Sequence, residues 1–182
     1  ESDAIQQIVN SFQDDLIGCV SGEDYISGGG GEGAYGKYEL YLRNLESSVG
    51  SIVGASGCFY AVRRKLCEPF QEGMAPDFFS VLQNVEKGFR AVTEPKAKGS
   101  MESVRKSSQE FERKIRTLLR GMTTLMAFKH LMNPLRYGIF AVELLSHKIL
   151  RWCAGVFVIL LFARNAFLLN SHFFLIILRN DR

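Results

Sequence analysis

The sequence predicts an α/β domain followed by a helical segment that associates with a membrane. Up to about residue 132, short apolar runs alternate with amphipathic helical patterns, an order typical of layered α/β domains. The remaining residues hold the longest apolar stretches. Charge divides in the same way, since residues 1–132 carry 16 Lys and Arg against 17 Asp and Glu, whereas residues 133–182 carry 6 against 2.

Length and composition exclude several classes of protein. A chain of 182 residues with 47% hydrophobic and 23% charged residues is long and apolar enough for one domain with a core. A disordered chain, a collagen-like repeat and a strongly basic nucleic-acid binder are therefore excluded, and no nucleic-acid partner is expected. The cysteines and histidines are scattered without a CxxC pair, so the pattern indicates no zinc site.

The elements of the α/β part follow from local patterns. A short amphipathic helix is expected over residues 3–13, with Ser2 or Asp3 as its cap. The other expected elements are a strand over 16–21, a helix over 34–49 with Tyr38, Leu42 and Leu45 on one side, a strand over 58–62, a helix from Pro76 to about Lys87, and a strand over 89–93 closed by Glu94-Pro95.

A glycine-rich segment, residues 27–33, interrupts this order. A phosphate cradle needs such backbone to lead into Gly-Lys-Ser/Thr after a strand, and no such lysine follows. A mobile loop is therefore the favoured interpretation, and a phosphate loop is the alternative.

The strongest helical pattern covers residues 107–131. Its apolar positions fall on one stripe: Phe111, Ile115, Leu118, Leu119, Met122, Leu125 and Met126. Arg113, Arg116 and Arg120 lie on the opposite side, within roughly 60° of one another. Three neighbouring guanidinium groups can hold a diphosphate through bidentate hydrogen bonds, although a solvated basic face has the same spacing.

The last fifty residues provide the expected membrane association. Residues 133–151 are expected to form an interfacial amphipathic helix, because only a narrow wedge is polar and cations flank its C-terminal end. Residues 152–182 are expected to form a truncated transmembrane region. Twelve uncharged residues, Trp152 to Ala163, precede Arg164, which makes the crossing marginal, and residues 173–178 are too short to cross alone. A core helix of a soluble protein remains the alternative.

Several motifs in the α/β part occur together in one order. These are Gly31-Glu32-Gly33-Ala34-Tyr35, Tyr38-Glu39, Leu45-Glu46-Ser47-Ser48-Val49-Gly50-Ser51, Gly54-Ala55-Ser56-Gly57-Cys58-Phe59-Tyr60-Ala61-Val62-Arg63-Arg64, Asp77-Phe78-Phe79, Lys87-Gly88-Phe89-Arg90-Ala91-Val92, Glu94-Pro95, Arg113–Gly121 and Leu145-Ser146-His147-Lys148. The collinear set resembles the second half of a membrane-anchored family 2 glycosyltransferase. That broad group includes the cellulose, hyaluronan and poly-N-acetylglucosamine synthases.

The resemblance implies a partial GT-A-type, Rossmann-like domain followed by interfacial and transmembrane helices, with residues 1–132 as the acceptor half. It implies transfer of a sugar from a nucleotide-sugar, usually a UDP-sugar, to a glycan acceptor with inversion. Asp77 takes the place of the general base, although an Asp at this point can also cap the following helix. Arg113 and Arg116 would contact the diphosphate, and the turn from Gly54 to Gly57 would form part of the acceptor wall.

The chain departs from the family pattern at two motifs. Pro76 stands where the family usually has a second acid beside Asp77. Arg113 and Thr117 stand where processive synthases have Gln and Trp, and this difference argues against cellulose-like processive synthesis.

The resemblance also implies which parts lie outside this sequence. The family's uridine-binding strands and Asp-x-Asp metal motif would precede it, because neither Asp14-Asp15 nor Glu23-Asp24 stands at the right place. Mg²⁺ or Mn²⁺ is therefore expected for a full-length enzyme, with ligands absent from this chain.

The chain is accordingly expected to be an internal piece of a glycosyltransferase that builds a polysaccharide. The bacterial inner membrane is the expected location, and Lys148 and Arg151 would keep the α/β domain on the cytoplasmic side. Membrane lipid, the donor, the acceptor and partner subunits of a synthesis system are the expected partners. A catalytically inactive membrane-attached fragment or partner is the alternative.

Overall fold

The predicted alternation of helices and strands is present in a computed structural model that describes residues 3–27, 31–69, 71–102 and 107–169. In order, the elements are α1 (Ala4–Ser11), β1 (Ile17–Ser27), α2 (Gly31–Val49), β2 (Tyr60–Val62), α3 (Pro76–Glu86), β3 (Arg90–Glu102), α4 (Ser107–Ala127), α5 (Pro134–Leu144) and α6 (Arg151–Leu169). Short 3-10 turns cover Arg64–Leu66 and Lys129–Met132, and a π-helical segment covers Leu145–Leu150. A mixed α/β class is therefore confirmed.

The sheet has three strands in the order β2-β1-β3, so β1 is central. β2 runs antiparallel to β1, with Val62 opposite Cys19, and β3 runs parallel to β1, with Val92 opposite Val20. Parallel neighbours require a crossover connection. The chain between β1 and β3, which contains α2, β2 and α3, provides it.

Side chains that alternate along the strands form two separate cores. On one face, Val20 and Val92 pack with Ala4 and Ile8 of α1. Cys19 and Ala91 point the other way and pack with other buried residues, among them Val81 of α3. Because successive residues of a strand face opposite sides, the central strand is buried on both faces.

β3 is longer than the sequence predicted. It was expected to end at Glu94-Pro95, but it continues to Glu102, and β1 continues to Ser27. Pairing shifts register between Ser21–Thr93 and Glu23–Lys98, so additional residues of β3 bulge out around Pro95. Proline has no N–H to donate, and strands accommodate it at such irregularities without ending.

α2 packs through its polar side. Arg43 donates to the Ser21 hydroxyl at 3.3 Å, and the carboxylate of Glu46 accepts a hydrogen bond from the backbone N–H of Val53 at 2.9 Å. Tyr38 and Leu45, on the apolar side, are exposed. The helix is therefore held by specific hydrogen bonds to β1 and to the following loop.

α4 leaves most of its apolar stripe exposed. Of the predicted stripe only Leu125 is buried, together with the adjacent Gly121 and Thr124, whereas Phe111 and Met126 are about two-thirds exposed. The helix ends at Ala127, earlier than predicted, and a 3-10 turn follows. Its C-terminal half therefore provides its contact with the α/β core.

The chain divides into two compact units, residues 1–143 and 144–182. One helical stretch, Pro134–Leu168, is long and apolar enough to cross a membrane, and 6% of its most apolar window is buried. α6 continues through Arg164 and Asn165, where the apolar run was expected to be interrupted. The expected second apolar segment, residues 173–178, and the central glycines of the expected mobile loop, 28–30, lie outside the described residues.

Candidate functional site

Asp77 lies in the first turn of α3, and it is not the helix cap. The helix begins at Pro76, as the sequence predicted, and its N-cap is Ala75, so the alternative in which Asp77 caps the helix is not observed. A carboxylate in the first turn is stabilised by the positive end of the helix dipole. Asp77 is half-buried, and among the described residues no side chain or backbone group hydrogen-bonds to its carboxylate. Its carboxylate therefore has acceptor capacity that the described residues do not use.

The turn that contains Gly54 and Gly57 lies beside Asp77. A Cβ atom built on Gly57 would lie 3.8 Å from Oδ2 of Asp77, and the next residue, Cys58, is exposed. Gly54 precedes the buried Ala55, which anchors the start of the turn in the core. The structure therefore brings Gly57 and Asp77 together, and Gly54 lies three residues earlier in the same turn.

The pKa of the Cys58 thiol shows which charged groups lie near this turn. Partial burial raises the pKa of its thiol, and the carboxylates of Asp24 and Asp77 raise the pKa further. The guanidinium group of Arg113 opposes them and lowers the pKa. Like charges disfavour a thiolate and an opposite charge favours it, so these three groups all lie within electrostatic range of Cys58. We call Asp77, Gly57, Cys58 and Arg113 the Asp77 site.

Tyr60 lies next to the same site. Burial raises the pKa of its phenol, a hydrogen bond with Ser80 lowers that pKa, and the carboxylate of Asp77 raises it again. The start of β2 and the first two turns of α3 are therefore close enough to influence each other.

Arg116 lies along an open groove on α4. It lines an open groove together with Gly73, Glu112, Ile115, Leu119, Arg120 and Thr123. Of the two predicted diphosphate contacts, Arg113 is thus near enough to lower the pKa of the Cys58 thiol, and Arg116 lines this groove.

Asp24 is the residue that sequence reasoning set aside. Its carboxylate accepts a short hydrogen bond from the hydroxyl of Ser56, one residue before Gly57. The acidic pair Glu23-Asp24 was visible in the sequence, but β1 was expected to end at Ser21. Because β1 runs to Ser27, it carries Asp24 alongside the turn.

The described residues contain no group of three or more His, Cys, Asp or Glu side chains placed to hold a metal ion. Mg²⁺ and Mn²⁺ prefer several oxygen ligands, and the carboxylates described above do not provide such a set.

Comparisons with known proteins give no family for the chain. No protein-family model matches it, and no curated protein is similar enough to count as a match.

Proposed function

We propose that this chain carries the acceptor side of an inverting glycosyltransferase that works at a membrane and uses a nucleotide-sugar, with Asp77 as general base. The observation that supports the proposal is that a half-buried carboxylate, Asp77, and the guanidinium group of Arg113 both act on the thiol of Cys58 at one exposed turn. A transferase needs both charges, because the acceptor must lose a proton and the leaving group is a diphosphate.

The proposed reaction uses these residues as follows. Asp77 accepts the proton of an acceptor hydroxyl as that oxygen bonds to the anomeric carbon. The bond from that carbon to the diphosphate breaks, and the nucleoside diphosphate leaves with the electron pair. Arg113 stabilises its negative charge. A divalent cation is expected for a full-length enzyme, and the described residues contain no ligand set for it.

The helical stretch Pro134–Leu168 supports a membrane location for the reaction. Its residues from Val156 to Phe162 are all more than half exposed, as expected for a surface that faces lipid. Lys148 and Arg151, near the start of α6, would lie on the cytoplasmic side, where nucleotide-sugars are made. A surface polysaccharide is the proposed product.

The experiment is a transfer assay on membranes that contain the native product carrying this chain. Radiolabelled UDP-glucose and UDP-N-acetylglucosamine are supplied separately, and incorporation into glycan is measured. Asp77→Asn removes the base, so we expect transfer to fall by at least ~100-fold with membrane attachment unchanged. Asp15→Asn, at a fully exposed carboxylate, is the matched control and should retain transfer.

Each outcome has a definite meaning. Retained transfer in Asp77→Asn would contradict the role of Asp77 as base. An absence of transfer by the unmodified protein from both donors would favour the catalytically inactive, membrane-attached alternative.

A further inference from the structure

Ser56 is the centre of a hydrogen-bond network that holds the turn beside Asp77. Its hydroxyl donates to the carboxylate of Asp24 and accepts from the backbone N–H groups of Cys58, at 3.2 Å, and Phe59, at 3.0 Å. A single side chain therefore determines the backbone path of the residues that face Asp77.

The same serine is anchored in the core. Its backbone N–H donates to the hydroxyl of Ser21 at 2.8 Å, and Ser21 in turn donates to the carbonyl of Gly22 at 3.0 Å. Both serines are buried, with exposed fractions of 0% for Ser21 and 3% for Ser56. A buried hydroxyl needs its partners, because an unsatisfied one costs about 1–3 kcal/mol.

The direction of the Ser56 proton depends on Asp24. A hydroxyl has one proton, and Ser56 gives it to Asp24, which leaves its lone pairs for the N–H groups of Cys58 and Phe59. Gly99 of β3 makes room for the acceptor: a Cβ atom built there would lie 3.2 Å from Oδ1 of Asp24, closer than is comfortable. The surroundings thus place the Asp24 carboxylate against Ser56.

We propose that Asp24 is a positioning residue of the Asp77 site, which acts through Ser56 to set the turn of residues 56–59 against Asp77. Its identification as part of an acceptor site rests on the proposed function, whereas the positioning itself does not. Asp24 also adds a second negative charge beside Cys58.

The test uses the full chain in detergent micelles and two readouts that need no substrate. The first is the rate of alkylation of Cys58 by iodoacetamide between pH 7 and pH 9.5, followed by peptide mass spectrometry. The second is hydrogen exchange at the amides of Cys58 and Phe59. The charged groups that shift the pKa of the Cys58 thiol are Asp24, Asp77 and Arg113. The variants are therefore Asp24→Asn, Asp24→Ala and Asp77→Asn, and Asp15→Asn is the control.

The expected pattern separates charge from position. Asp24→Asn and Asp77→Asn should each speed alkylation about two- to fivefold at pH 8, because a nearby negative charge is lost and the thiolate becomes more populated. Asp24→Ala should also speed amide exchange about tenfold. Asp24→Asn, in contrast, should keep amide exchange as slow as in the unmodified protein, since the asparagine side-chain oxygen still accepts a hydrogen bond from Ser56. Asp15→Asn should change neither readout.

Two results would overturn the proposal. One is a Cys58 alkylation profile that Asp24→Asn leaves unchanged, and the other is amide exchange that Asp24→Ala leaves unchanged. Failure of the proposed function looks different: the two readouts would respond as expected while the native product transfers no sugar. Conversely, loss of transfer in Asp77→Asn with no response to the Asp24 variants would leave the transferase proposal standing and reject this one.

Discussion

Gly57 and Asp77 face each other so closely that a Cβ atom on Gly57 would lie 3.8 Å from Oδ2 of the carboxylate. This distance is an ordinary van der Waals contact, so a small side chain fits without a clash. Under the proposed function, such a side chain would occupy the space from which an acceptor hydroxyl is expected to reach Asp77. The absence of a side chain at position 57 thus keeps the carboxylate accessible.

Gly57→Val should therefore reduce sugar transfer by the native product at least tenfold while the fold is retained. The valine methyl groups cover the carboxylate, and the backbone at this position does not have a positive φ angle that would exclude valine. Gly50→Val is the matched control, because nothing lies within 4 Å of a Cβ atom there. Circular dichroism checks the fold, and equal transfer by the two variants would argue against an acceptor path past Gly57.

Arg63, directly after β2, holds the end of that strand to the start of β1 and to the segment before it. Its guanidinium group donates to the carbonyls of Ile17 at 2.6 Å, Phe12 at 2.7 Å and Asp14 at 2.8 Å. A lysine keeps the charge but cannot reach three diverging carbonyls.

We expect Arg63→Lys to lower the free energy of unfolding by about 1–3 kcal/mol, because carbonyl groups lose their donors. Arg64→Lys, at the exposed neighbour, should change it by less than ~0.5 kcal/mol. Denaturant titration measures both values, and an equal effect at the two arginines would show that the three bonds do not stabilise the fold.

Cys19 should make the fold sensitive to alkali. Burial raises the pKa of its thiol from 9.0 to about 12. Between these values the unfolded chain has released the proton and the folded chain still binds it, so stability is lost as the pH rises above 9. The slope reaches about 1.4 kcal/mol per pH unit.

Cys19→Ala should therefore flatten the dependence of the unfolding free energy on pH between 9 and 12, whatever its effect at pH 7. Cys153 in α6 provides the control, since it is not among the groups that raise the pKa of Cys19 and Cys153→Ala should leave the slope as it is. An unchanged slope in Cys19→Ala would assign the alkaline loss to other groups, of which the phenol of Tyr60 is the first candidate.

A charged residue placed within the apolar stretch of α6 should strongly reduce its insertion into a membrane. Leu160→Arg places a cation within the uncharged run, where insertion into a bilayer costs about 2.5–3.5 kcal/mol. We expect the variant to leave the membrane pellet after an alkaline carbonate wash, whereas Leu45→Arg, on the exposed side of α2, should stay with it. Retention of Leu160→Arg in the pellet would contradict a membrane span at α6.

The sequence by itself determined most of the local structure. Helices α2 and α3 begin and end within a few residues of their predicted limits, because Pro76 starts one and Val49 and Gly88 mark the ends. Its motifs also indicated Asp77 and the turn from Gly54 to Gly57 as candidate site residues, through a family resemblance, whereas the closeness of Gly57 to Asp77 emerged only in the folded chain. The periodicity of apolar residues and the turn-forming residues act over a few neighbouring positions, so one segment of the chain contains all the information that its local structure needs.

The tertiary structure decided those features that depend on contacts between distant parts of the chain, which local sequence patterns do not contain. Which side of α2 is buried depends on Arg43 and Glu46 finding partners in β1 and the next loop, and those partners are not encoded in the helix itself. The length of β3 depends on pairing with β1 beyond Pro95. The role of Asp24 has the same origin: it meets Ser56 across 32 positions, and only the folded sheet brings them together.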